Sequence, residues 1–307
     1  MIEAGGFYEV ENGNNSVVPL LALTGIAFID PSPTFLPQPL MDWGLVSTPQ
    51  TNAAGRRTHY AQGKTLGGSS ALNTLSYIRT TNGSLQRWAD SVGDQSYTFQ
   101  NVLKYYEKSV HLTPPNQAKR MATNATPQYD PSVFSPSGGP LQVSWANFVD
   151  PTLTWLAKAV QNLGLGINPK NHNSGELNGG GYNPSTIDPT HATRSTSESS
   201  FLQYAINDTG VMVYTHTQAL KVQFDTSSTT PKASSVLVST QGLQYTLSAK
   251  KEIIVSAGVM HSPQLLMVSG MLSFRCCECF IDCTTQALDL SQHSNHTASQ
   301  SWPTDQV

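Results

Sequence analysis

Residues 63–73, Gly-Lys-Thr-Leu-Gly-Gly-Ser-Ser-Ala-Leu-Asn, form the stretch whose residue types best suit holding a ligand. The pair Gly67–Gly68 lacks the Cβ atoms that keep a backbone away from a flat or charged group. Successive backbone amides in such a turn can form an anion-binding nest. Ser69 and Ser70 add hydroxyls, and a following helix would aim its amino end at a phosphate. The same residues also suit a plain glycine turn before a core helix, and residue chemistry alone leaves both readings open. A P-loop is excluded, because Lys64 precedes the glycine pair.

Three other sets of residues carry chemistry. Glu3, followed by Ala4, Gly5 and Gly6, suits the strand-end acid that bonds ribose hydroxyls in a dinucleotide fold. A strand-end glutamate before a glycine turn is more often only a solvated terminus. The G-x-G-x-x-G fingerprint expected roughly 20 residues before such an acid is not in the chain, so either Glu3 is no ribose ligand or the chain opens midway through a fold. His261 stands in Ser-Ala-Gly-Val-Met-His-Ser-Pro and reads as a residue near a helix start rather than a base. The four cysteines all lie at Cys276, Cys277, Cys279 and Cys283. Thiolates bind soft metals, but adjacent cysteines rarely share one ion and no second ligand pair stands at a finger-like distance, so no metal is expected. No serine sits in a G-x-S-x-G elbow, which removes support for a hydrolase triad.

These residues need elements to position them. Residues 9 to 60 hold Pro19, Pro31, Pro33, Pro37, Pro39 and Pro49 and read as extended loops. Residues 98–110 repeat Phe99, Val102, Leu103, Tyr106 and Val110 at helical spacing, with Thr98 as N-cap. Leu141 to Trp145 reads as a strand, and Pro151 to Leu163 as a helix stopped at Gly164. Residues 164–190 are a long Gly/Asn loop, of the kind that is usually functional. From 211 to 257 the period shortens: VMVYT, LKVQF, ASSVLVST, QYTLS and EIIVSAG read as strands. Strand Glu252–Ala257, a turn at Gly258 and a helix Ser262–Val268 follow, with Ser262 as N-cap, Pro263 as first helical residue and Gly270 as stop. After Met271 no apolar period is sustained.

Composition bounds the function. Of 307 residues only 12% are charged, while Ser, Thr, Asn and Gln make up about a third. A net charge of −3 provides no basic surface for nucleic acid or anionic lipid. No apolar run reaches the ~18 residues of a membrane span; Val17 to Ile29 is broken by Pro19, Thr24 and Gly25. Met-Ile-Glu-Ala-Gly-Gly shows no signal-peptide pattern. Glycosylation sequons stand at Asn14, Asn82, Asn124, Asn207 and Asn295, though a chain this rich in Ser and Thr acquires several by chance.

Two long motifs in order carry a resemblance. Gly63 to Arg79, centred on LGGSSALN, and Ser256 to Gly270, SAGVMHSPQLLMVSG, resemble the two signatures of the glucose–methanol–choline (GMC) oxidoreductases. ATRSTSESSFL at 192–202 and LQRWAD around Trp88 resemble the same family. The likeness runs from residue 1 to about 271 and is closest to the secreted fungal aryl-alcohol-oxidase-like branch.

The resemblance implies an α/β fold in which an incomplete FAD-binding dinucleotide fold interleaves with a substrate-binding domain. It places FAD-binding segments at 1–110 and 191–271, a substrate-domain segment at 111–190 and a divergent tail at 272–307. It implies an FAD-dependent oxidation of a small-molecule alcohol, without nucleic-acid or membrane partners; the alternatives are an inactive truncated fragment, or a lyase or cyclase that keeps FAD structurally. By position, Glu3 would bond the adenosine ribose. Thr65, Gly67, Gly68, Ser69 and Ser70 would lie against flavin and pyrophosphate. Asn73, Thr74, Leu75 and Ser76 would follow the flavin edge. Ala219 would meet the adenine, and Ala257 and Gly258 would bring a second turn near the cofactor. The family's catalytic histidine has no matching position here, and His293 and His296, in the tail, do not inherit the role. The second signature normally continues Ser-Gly-Ile-Gly-Pro; here Met271, Leu272 and Ser273 follow Gly270, so the chain is expected to depart from the family pattern at that point.

Overall fold

The computed structural model describes residues 1–22, 38–227 and 230–271. The cysteine cluster, His293, His296, Asn295 and the stretch with Pro31, Pro33 and Pro37 lie outside the described residues. The chain divides into two units, each assembled from separated stretches: Met1, Gly6–Gly25 and Thr65–Val213 in the first, and Ile2–Gly5, Ile26–Lys64 and the residues from Tyr214 onward in the second.

The first unit is mostly loop around a small apolar centre. Strands Val110–Leu112 and Leu141–Val143 pair in parallel. Val110, Val133, Phe134 and Val143 are buried together, with Tyr77, Leu103, Leu112, Tyr129 and Leu141 packed against them. Helix Phe99–Ser109 lies where its apolar spacing predicts. Helix Pro151–Asn162 begins on its proline, with the Asp150 carboxylate accepting from Thr152 N–H. Helix Asn82–Val92 is capped by Thr81 and ended by Gly93 in the left-handed conformation.

Residues 164–190, read as loop, include strand Ile187–Asp188, paired with Thr193–Arg194, and the irregular remainder is held by buried asparagines. Asn168 Nδ2 donates to Glu176 O, Asn171 Nδ2 to Tyr182 O and Asn173 Nδ2 to Tyr77 O. Side-chain amides thereby satisfy backbone groups that no ladder reaches.

The second unit contains an antiparallel sheet, Thr217–Asp225, Lys232–Thr240 and Leu243–Ser248, in that order. Gln241 and Gly242, both at positive φ, make the two-residue hairpin turn that suits the strand twist. Val222, Val236 and Val238 are buried. Helix Gly258–Val268 is tied to the sheet by Ser269, whose hydroxyl accepts from Val222 N–H and donates to Leu265 O. Ile2 bridges Tyr214 in parallel, and Thr217 N–H donates to Glu3 O, so Glu3 ends a strand-like segment.

The α/β class of the sequence reading holds, with local corrections. Among the described residues, 211–215 form no strand beyond the Tyr214 bridge to Ile2. Residues 252–256 are extended but join no ladder among the described residues, and Ile254 is exposed. A strand requires a partner as well as β-rich residues. Ser262 is no N-cap. The helix starts four residues earlier, and Pro263 lies inside it, at the loss of one backbone hydrogen bond. The turn at 67–71 leads into a single 3-10 turn, Gly68–Ala71, not a helix. Within the loop region, Tyr8–Glu11 makes one α-turn and Leu45–Val46 pairs with His59–Tyr60.

Thr81 and Thr98 both stand at N-cap positions, but only Thr81 caps. Its Oγ1 accepts from Ser84 N–H at 3.0 Å, whereas Thr98 Oγ1 donates back to Gln95 O. Thr81→Ala is therefore expected to cost about 1 kcal/mol in urea unfolding, and Thr98→Ala less than half of that. Equal costs would remove the distinction.

Candidate functional site

The glycine turn lies wholly within the first unit. Thr65 is fully buried, and its hydroxyl donates to Gly6 O at 2.8 Å, beside the bond from Leu66 N–H to the same oxygen. Thr65 thus anchors the turn instead of offering a donor outward. Ser70 Oγ donates to Gly67 O and accepts from Ser197 N–H, so this hydroxyl too is spent on the turn. Gly67 and Gly68 adopt φ of 90° and 52°. A Cβ on Gly67 would lie 3.1 Å from the Glu198 Cβ, whereas one on Gly68 would meet nothing within 4 Å. The backbone is therefore closed by protein at Gly67 and open at Gly68. Ser69, Asn73, Thr74 and Ser76 are exposed, while Leu75 is buried.

The second signature lies in the other unit. Ala257 precedes the helix, and its carbonyl accepts from Gln62 Nε2 at 3.0 Å. Gly258 has φ of 88°, and a Cβ there would come within 2.5 Å of Gln62 Nε2. The same amide lies 2.8 Å from His261 Nδ1. The amide thus reaches both Ala257 O and the ring. The ring stacks on Trp43, centroids 4.1 Å apart. His261 is thus a scaffold residue. In the same unit Glu3 Oε1 accepts from Gly5 N–H, and Ala219 pairs with Val238 beside an irregularity in the strand.

Three residues of this machinery had no assigned role in the sequence reading: Gln62, Arg194 and Glu198. The last two stand in ATRSTSESSFL, which is the available signal. Arg194 is 2% exposed. Its Nε donates to Ser16 O, and its Nη1 to Ser70 O, Asn73 O and Asn73 Oδ1. No carboxylate is among these partners, and desolvation pulls its pKa down to about 10.

Glu198 opens a π-helical turn, Glu198–Leu202, and is 1% exposed. Its Oε1 accepts from Gln203, and a side-chain hydrogen bond links Glu198 to Glu9, which requires one of the two carboxyls to carry the proton. Burial pushes the Glu198 carboxyl up to about 7; the Gln203 donor opposes this and the Glu9 charge adds to it. Tyr8, fully buried nearby, is raised to about 12, chiefly by burial. Among the described residues no group of three or more His, Cys, Asp or Glu could hold a metal ion.

The raised carboxyl makes stability depend on pH. The native state keeps a proton that the unfolded chain, near 4.5, releases. The stabilisation is complete below about pH 4.5 and is lost as pH rises through about 7. Glu198→Gln should remove on the order of 1–3 kcal/mol of this fall, read as urea midpoints across that window. A variant with the wild-type slope would place the proton elsewhere.

The family model described as GMC oxidoreductase matches residues 8–273. The glucose methanol choline oxidoreductase atC of Aspergillus terreus is 48% identical over 272 residues, 88% of this chain and 43% of the relative. Patulin synthase of Aspergillus clavatus is 46% identical over 271 residues, 88% of this chain and 42% of the relative. The chain thus spans less than half the length of these curated relatives. Among solved structures, an FAD-dependent oxidoreductase from Chaetomium thermophilum superposes with a TM-score of 0.71 at 26% identity, covering 88% of this chain and 43% of that one. FAD is the cofactor of this family, and the matched region is its FAD-binding domain. By its two signatures, its fold and this match, the chain belongs to the GMC oxidoreductases.

Proposed function

We propose that this chain binds FAD against the Gly67–Ser76 segment and belongs to an enzyme oxidising primary or secondary alcohols. The observation that carries the reading is the asymmetry of the glycine pair. Gly67 is packed on Glu198, yet beside Gly68 the space is open and φ is positive. Such a bare stretch of backbone suits the close approach of a flat or phosphorylated group. The residues present therefore fit the cofactor.

Bound there, FAD would accept a hydride at N5 as an alcohol becomes a carbonyl. The chain's own part is to bind and orient. Thr65 and Ser197 hold the turn from behind, Gly68 lets the ligand approach, and Glu3 offers a carboxylate suited to ribose hydroxyls. Ala219, Ala257 and Gly258 remain the other positions that the family resemblance assigns to the cofactor. Segments 1–110 and 191–271 would serve the cofactor and 111–190 the substrate. We assign no base. His59 lies buried 2.8 Å from Asp42, and His261 is committed to Gln62. The name patulin synthase, carried by a relative, supports a secondary-metabolite alcohol as substrate.

The test is flavin retention. The chain mixed with FAD and gel-filtered should elute yellow, and Gly68→Val should lose at least about tenfold in FAD affinity while keeping its far-UV circular dichroism. A wild-type chain that stays colourless would sink the reading, and equal flavin content in the variant would refute the contact. Anaerobic bleaching on addition of an alcohol tests the substrate class.

A further inference from the structure

We propose that Arg194 is a positioning residue that, through Asn73, holds Leu75 in a left-handed conformation and so sets the segment facing the cofactor. The inference rests on the FAD reading for its functional consequence, though not for its structural claim. Leu75 has φ of +69° and is buried. A leucine rarely adopts this conformation, because its Cβ crowds the following carbonyl. Such strain persists only where the surroundings over-determine it.

The restraints are visible on both sides of Leu75. Its N–H donates to Asn73 Oδ1 at 3.0 Å, and its carbonyl accepts from Thr186 N–H at 2.8 Å. Asn73 Oδ1 can hold Leu75 only if the Asn73 side chain is itself fixed, and Asn73 is otherwise exposed. Arg194 fixes it. Nη1 reaches Asn73 Oδ1 and Asn73 O, each at 2.8 Å, and Ser70 O at 3.2 Å, while Nε is anchored on Ser16 O at 2.7 Å. A planar, forked cation can meet acceptors on separate segments at once; a lysine ammonium, a single point on a flexible stem, cannot reproduce the fork. The guanidinium gains no ion pair among these contacts, and its burial lowers its pKa. Its contribution is therefore geometric: it converts one buried cation into a fixed path across Ser70, Asn73 and Leu75.

The experiment compares wild type, Arg194→Lys, Leu75→Gly and the double variant, with two readouts on the full chain. Amide hydrogen exchange without FAD should show Arg194→Lys losing protection in residues 69–76, with helix Phe99–Ser109 unchanged. FAD affinity should fall at least about tenfold in Arg194→Lys. It should recover most of that in the double variant, because glycine adopts the left-handed region freely. A merely structural arginine would not be rescued by a glycine at 75. Unchanged exchange at 69–76, or no rescue of FAD affinity, overturns the proposal. If Arg194→Lys loses protection everywhere, Asn73→Ala, which removes only the side-chain acceptor, should still free residues 69–76, and protection retained there overturns the proposal. A wild type that binds no FAD refutes the cofactor reading alone, and the exchange comparison still decides the role of Arg194.

Discussion

Buried backbone carbonyls in a unit with few ladders must find donors, and the first unit supplies them from side chains: hydroxyls, asparagine amides and three buried arginines. Arg79 Nη1 donates to Val133 O, Arg120 reaches Ala146 O and Ala125 O, and Arg194 reaches Ser16, Ser70 and Asn73. All three are buried. A buried cation is costly unless its donors are used. Here part of each guanidinium is spent on loop carbonyls, whose hydrogen bonds offset some of the cost, while Arg79 Nη2 and Arg120 Nε are buried without a hydrogen-bond partner among the described residues. Arg79 also lies over the Phe134 ring at 4.3 Å, which joins this polar scaffold to the apolar centre.

The glycine turn inherits its shape from that scaffold. Thr65 and Leu66 tie its start to Gly6, Ser70 and Ser197 clasp its middle, and the arginine fork closes its end. Thr65 and Ser70 are engaged with the turn itself, whereas Ser69, Thr74 and Ser76 stand exposed beside the bare backbone at Gly68. Glu198, the residue packed on Gly67, is also one whose carboxyl pKa is pushed up, chiefly by burial.

Much of this was legible in the residues. Helix Phe99–Ser109 follows from apolar spacing, the three-stranded sheet from β-rich runs, and the turn from Gly67–Gly68. The misses share a cause. Residues 252–256 have strand composition but no ladder partner among the described residues, and pairing is not a local property. Ser262–Pro263 has the chemistry of a helix start, yet Gln62, far earlier in the chain, seats Ala257 and fills the space beside Gly258, so the helix begins there. Arg194 was unreadable for the same reason: its acceptors lie 178 and 121 to 124 residues away.

That separation has a consequence during synthesis. Asn73 leaves the ribosome 121 residues before Arg194. At roughly 5–20 residues per second, the nascent turn waits about 6–24 s for the side chain that closes it. Throughout that interval Leu75 has no reason to stay left-handed, and the segment samples ordinary extended backbone. The turn is therefore completed only once residue 194 has emerged, and a cofactor that depends on its final shape would be captured only after that.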